Sequence, residues 1–156
     1  MHFSEPLTAL TDYALGAASL YFAVSLLRSR PPKRLSIRLW SIGFLASAIA
    51  AFVGGTYHGL KLTVDESVLR SLWNVTIYSI GVSGGFMVSG VLASSIGWEH
   101  KSTKWLSRGL GVTLAAFAIQ QSGISLHNDI FHVLQIVALY FFFNGARLLK
   151  DRVLRG

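Results

Sequence analysis

No cysteine occurs anywhere in the 156 residues, which excludes disulfide frameworks, Cys-ligated zinc, iron–sulfur clusters and thiol nucleophiles. Charge is scarce as well: Asp, Glu, Lys and Arg together make up 13% of the chain, against 52% hydrophobic residues. That is too little polar side chain to cover a water-soluble globule of this length. Proline appears three times, and Pro31 and Pro32 lie together in a basic link, so the long apolar blocks are left free of helix breakers. No lysine falls inside a block, which rules out a retinal Schiff base. A P-loop is missing, as is a strand followed by Gly-x-Gly-x-x-Gly. Gly81 to Gly85 reads as a packing surface, and Ser79, Ser83 and Ser89 stand outside any Gly-x-Ser-x-Gly elbow and are expected to bond backbone carbonyls.

What remains is a succession of apolar blocks about 20 residues long, each sufficient to cross a bilayer at 1.5 Å per residue. They predict an all-α fold, a polytopic transmembrane helical bundle in a single domain, with spans at about 6–27, 39–60, 71–98, 109–126 and 128–147. The first block is preceded by His2 and Glu5 rather than by a basic region, so it is expected to stay as a helix and not to be cleaved as a signal. Gly81, Gly84, Gly85 and Gly90 in the third block predict close helix contact.

Five spans place alternate loops on alternate sides, and the charges then separate. Arg28, Arg30, Lys33, Arg34, Arg38, Lys101, Lys104, Arg108, Arg147, Lys150, Arg152 and Arg155 fall on one side, which is 12 of the 14 bases. The other side receives Lys61 and Arg70 with Glu5, Asp12, Asp65, Glu66 and Asp129. By the positive-inside rule the basic side is cytoplasmic, giving an outer N-terminus and an inner C-terminus. A net charge of +7 is therefore an orientation signal rather than a nucleic-acid footprint, and the expected partners are membrane lipids, a homo-oligomer or a membrane partner subunit. The expected location is the cell membrane, as a multi-pass protein.

The same topology gathers His2, His58, His127 and His132 toward the outer side. Counting from the inner flanks puts His58, Asp12 and His132 about 30, 24 and 22 Å up their helices, so three helices bring an ionisable group to one layer. Each such group is costly in lipid and is expected to face the bundle interior with a partner. Gly54 and Gly55, beside His58, leave room for that approach. On the last helix Asn128, Asp129, His132 and Gln135 share one face. His58, His127 and His132 are the candidate metal ligands, for an open zinc site whose fourth position holds water. Asp129 or Asp12 is the candidate catalytic carboxylate. The alternatives are a hydrogen-bonded network without metal and, less favoured, axial haem ligation by His58 and His132.

Gly55-Thr56-Tyr57-His58 at the end of one helix and His127-Asn128-Asp129-Ile130-Phe131-His132 at the start of the last resemble the scattered motifs of the membrane hydrolase superfamily of alkaline ceramidases and progestin/adipoQ receptors. The resemblance covers a dozen residues. It implies three His ligands, a zinc-bound water and an Asp, and hence a metal-dependent hydrolase acting on a lipid or amphiphile near the outer leaflet. The chain departs from that family in having five helices rather than seven and in spacing its last histidine pair by five residues rather than four, with Asn128 where a ligand would stand. His58 and His132 transfer best, and the Asp is Asp12, Asp65 or Asp129. Leu10-Thr11-Asp12-Tyr13 and Gly54-Gly55-Thr56-Tyr57-His58 also resemble segments of small bacterial membrane proteins, which implies no activity. The rival expectation is a non-catalytic bundle that binds a ligand, conducts an ion or supports a partner.

Overall fold

The computed structural model describes residues 5–28, 34–94, 101–121 and 127–151, apart from the side chains of residues 120, 121 and 127. Five helices follow one another: α1 (Pro6–Arg28), α2 (Leu35–Leu60), α3 (Glu66–Leu92), α4 (Lys101–Gln121) and α5 (His127–Arg147). Pro6 opens α1, where its missing N–H costs nothing. Four of the helices, α1, α2, α3 and α5, are long and apolar enough to cross a membrane. The remaining one, α4, has the length but carries Lys101, Lys104 and Arg108 in its first two turns.

Several boundaries differ from the sequence expectation for local reasons. Helix α2 begins four residues before 39 because its first N–H groups find an acceptor far along the chain. The carboxylate of Asp151 accepts from the amides of Leu35 (2.6 Å) and Ser36 (3.1 Å) and from the Ser36 hydroxyl (2.5 Å). Helix α3 begins at Glu66, five residues before 71, with the Glu66–Arg70 pair bridging its first turn at 3.1 Å. It ends at Leu92, and residues 95–98 of the expected span lie outside the described residues. Helix α4 starts at Lys101, eight residues before 109, and residues 122–126 of the expected fourth span are likewise undescribed.

Side-chain contacts fix the register. Helix α1 runs antiparallel to α2, with Gly16 against Phe52 and Phe22 against Phe44. Helix α2 runs antiparallel to α3, through the Ser47–Ser83 hydroxyl pair at 2.7 Å and Trp40 on Gly90. Helices α4 and α5 are antiparallel, with Gly109 on Phe142 and Phe117 on Phe131. Helix α5 is parallel to α1, Phe22 stacking on Phe143 at 4.9 Å. In the resulting order α3, α2, α1, α5, α4, the two outermost helices do not meet each other. Gly90 is packed tightly by this arrangement, but Gly81, Gly84 and Gly85 have nothing within 4 Å. Among the described residues no close contact is made at those three, since α3 is there an edge helix that touches only α2. Ser83 bonds Ser47 rather than a carbonyl, whereas Ser89 does bond a carbonyl, that of Gly85, at 2.8 Å.

Small polar residues share the interior with large apolar ones: Ser19, Ser36, Ser41, Ser94 and Ser102 are buried along with Phe22, Leu26, Trp40 and Phe44, while Tyr21, Tyr78, Val88, Leu92 and Leu114 are exposed, Tyr78 by 73%. An apolar exterior with small residues at the helix contacts suits lipid, where helices gain by close approach. One end of the bundle carries Arg28, Arg34, Arg38, Lys101, Lys104, Arg108, Arg147 and Lys150, over an aromatic core of Phe22, Trp40, Phe44 and Phe143. The other end carries Glu5, Asp12, Asp65, Glu66, Asp129 and the described histidines.

At the basic end a backbone bridge joins Ser94 to Asp151, and Arg34 donates to the Leu149 carbonyl at 2.9 Å. Partial burial pushes the Asp151 carboxyl up, but the Ser36 and Leu35 donors, with Arg34 alongside, outweigh it and hold it below the ordinary 3.8. Because the folded value is depressed, the stabilisation is full above pH 3.8 and fades as pH falls through the folded value. Asp151→Ala is expected to lower stability by about 1 kcal/mol, the worth of an N-cap. Thermal unfolding in detergent checks this, and the deficit should shrink as pH falls below 3.8 and the native carboxyl protonates.

Candidate functional site

Gly54 and Gly55 bring the backbone of α2 against the first turns of α1. A Cβ on Gly54 would lie 3.5 Å from Asp12 Oδ2, and one on Gly55 would lie 3.1 Å from both the Ala9 carbonyl oxygen and Asp12 Cβ. Asp12 is thereby held inside the bundle, 5% exposed. From the other side α5 supplies His132, whose Nε2 stands 3.3 Å from Asp12 Oδ1. Thr8 on α1 and Thr76 on α3 are buried as well, Thr76 Cγ2 lying 3.6 Å from the position of a Cβ on Gly54.

The Thr11 hydroxyl lies 3.0 Å from the Thr8 carbonyl and 3.1 Å from His132 Nδ1; where its hydrogen goes to the carbonyl, the hydroxyl accepts from the ring and Nδ1 carries a hydrogen. Nε2 and Asp12 Oδ1 then face each other with lone pairs unless a proton lies between them, either on the imidazole opposite a carboxylate or on the acid opposite a neutral ring. Both forms leave the pair with no net charge, the least costly state for two ionisable groups in lipid. Asp129, one turn before His132, lies within electrostatic reach of Asp12 and of His132. Its buried Oδ1 has no hydrogen-bond partner among the described residues.

His58 is engaged nearer the surface. Its Nδ1 meets Glu5 Oε2 at 2.5 Å, and Lys61 donates to Glu5 Oε1 at 3.1 Å. Burial pushes the Glu5 carboxyl up, but the hydrogen bonds and charges of His58 and Lys61 outweigh it and hold it below 4.5. Glu5 ties the start of α1 to the end of α2. His58 lies within electrostatic reach of His132.

The sequence-derived set is thus divided between two adjoining clusters. Asp12, His132 and Asp129 form the deeper one, and His58 belongs with Glu5 and Lys61. The side chain of His127 lies outside the described residues, as do His2 and His100. Asp65 stands at the N-cap of α3, where its side chain makes no capping bond. Gln135 makes no described contact with the pair. Among the described residues no three His, Asp or Glu side chains converge as a metal cage. Of the three candidate ligands, His58 faces Glu5, both ring nitrogens of His132 face α1 groups, and the side chain of His127 is not described. Sequence reasoning missed Glu5 and Thr11. Glu5 precedes the apolar block and reads as a solvated flank, and Thr11 bonds across 121 positions of sequence, a distance no local pattern reports.

The model of a family of unknown function (DUF6962) matches residues 7–100 and again residues 87–151. No curated protein and no solved structure matches the chain.

Proposed function

Since the chain belongs to DUF6962, a family whose function is unknown, we propose a function from the site itself: a non-catalytic membrane bundle that takes up and releases a proton at the Asp12–His132 pair. The observation that carries this reading is the 3.3 Å approach of His132 Nε2 to Asp12 Oδ1 between two helices in the apolar region. Intramembrane carboxylate–histidine pairs are costly to maintain and suit proton relays. Asp129, whose Oδ1 has no hydrogen-bond partner among the described residues, is the second acceptor in this reading. Glu5, His58 and Lys61 form the entrance on the side where α1 and α5 begin.

Infrared difference spectra of the reconstituted protein across a pH step test the reading. The expected result is a carboxylic-acid carbonyl band that titrates in the wild type and vanishes in Asp12→Asn. Identical difference spectra for both proteins would refute proton binding at Asp12.

We also place the histidine end outside and the basic end in the cytoplasm of a cell membrane, on the 12-to-2 division of basic residues. The native chain has no cysteine, so single cysteines report sidedness without background. A cysteine at Leu62, 77% exposed, should react with an impermeant maleimide on intact cells, and one at Lys150 only after permeabilisation. The reverse pattern would invert the topology.

The rival reading, a zinc-dependent hydrolase acting on a lipid or amphiphile, rests on the resemblance and on the shared end of His58 and His132. It would require His58 to leave Glu5 and a further ligand to join. Elemental analysis of protein purified in chelator-free detergent separates the two readings: stoichiometric zinc supports the hydrolase, and its absence with an intact Asp12 titration supports the proton site.

A further inference from the structure

The surface where α4 meets α5 at the basic end is unlike the rest of the exterior. Lys101, Lys104 and Arg108, spaced by three and four residues, lie on one face of α4, and all three are exposed. Trp105 shares that face and projects toward α5, packing on Tyr140 at 6.2 Å and on Phe141 at 5.6 Å. The Arg108 guanidinium lies over the Trp105 ring, 5.5 Å from its centroid. Arg147, exposed on α5 and two turns beyond Tyr140, covers Phe143 at 5.4 Å. Among the described residues none of these four cations is in an ion pair. The nearest described carboxylate, Asp151, is committed to the start of α2.

Deeper along α4 the same face continues as Gly111 and Ala115, both exposed, with nothing within 4 Å of the position a Cβ would take on Gly111. Across the seam α5 presents Val137 and Val133, 40% and 51% exposed. A row of cations along the first two turns of α4 thus leads into a shallow apolar lane. We infer that the α4–α5 seam binds an anionic phospholipid, its phosphate held by Lys104 and Arg108 and its acyl chain lying over Gly111 and Ala115. Charge complementarity identifies the headgroup, since basic residues between helix ends attract anionic lipid. The flanking Trp105 and Tyr140 occupy the headgroup level that amphipathic rings prefer. The assignment also accounts for the low apolarity of α4, whose basic turns then lie at the lipid–water boundary.

The test uses the full chain in vesicles of phosphatidylcholine containing spin-labelled phosphatidylglycerol or spin-labelled phosphatidylcholine, with the motionally restricted fraction measured by electron spin resonance. A preference for phosphatidylglycerol of at least about fivefold, the weight of one base near an anionic surface, is expected in the wild type. It should fall toward parity in Lys104→Gln/Arg108→Gln and stay unchanged in Lys61→Gln/Arg70→Gln, which removes the two bases of the opposite end. Should the first variant fail to assemble, high salt applied to the wild type should remove the preference in its place. Equal restriction of the two lipids would overturn the proposal. So would a preference that survives both Lys104→Gln/Arg108→Gln and salt, or complete displacement of phosphatidylglycerol by inorganic phosphate at matched ionic strength, which would mark a free-anion site.

Discussion

Asp12→Leu is expected to cost about 3 kcal/mol, the loss that follows when one partner of a buried ionisable pair is removed and the other stays. The leucine would strand His132 Nε2, now 3.3 Å from Asp12 Oδ1, in a region where no water replaces the lost contact. Asp12→Asn keeps the shape and one hydrogen bond and should cost less than half as much. His132→Leu should be comparably harmful alone. The double replacement Asp12→Leu/His132→Leu should recover most of the deficit, because two apolar side chains then meet where two polar ones did. Chemical unfolding in mixed micelles provides the four free energies of the cycle. A double variant as damaged as the sum of its parents would show that the two residues do not form a unit.

The second large effect is steric. A Cβ at Gly90 would stand 2.6 Å from Trp40 Cδ1 and 3.1 Å from the Ser36 carbonyl oxygen. Trp40 is 3% exposed and wedged against Phe44 and Phe142, so the ring has no room to retreat and α3 must move off α2. Gly90→Ala is therefore expected to destabilise by about 2 kcal/mol through overpacking. Gly84→Ala, on the same helix with nothing within 4 Å, should raise stability by about 0.5–1 kcal/mol from helix propensity alone. Opposite signs for two identical substitutions six positions apart would confirm which face of α3 carries the contact. Melting temperatures in one detergent suffice, and equal shifts would contradict the packing.

The helices were legible because lipid demands uninterrupted apolar runs, a one-dimensional property that survives in the chain order. Their ends were less so. The early start of α2 depends on Asp151, at the far end of the chain, and no pattern around Leu35 announces that acceptor. Asp12 and His132 were identifiable as partners-in-waiting since both are expensive in lipid and lie at similar depth. Depth alone could not separate His132, which reaches Asp12, from His58, which turns to Glu5, because rotation of a helix about its axis is set by neighbours such as Gly54 and Gly55 and leaves no trace in a residue count. The threonine that orients the imidazole was invisible for a related reason: Thr11 is a common residue whose importance comes only from the helix that docks beside it.

The placement of α4 and α5 has a bearing on how the protein is made. Helices α1, α2 and α3 pack in chain order and can assemble as each leaves the insertion machinery, whereas α5 must return across the nascent bundle to lie beside α1. During that interval Asp12 is already in the bilayer and has no imidazole opposite it. Docking of α5 against α1 is thus the step that brings the imidazole of His132 to Asp12.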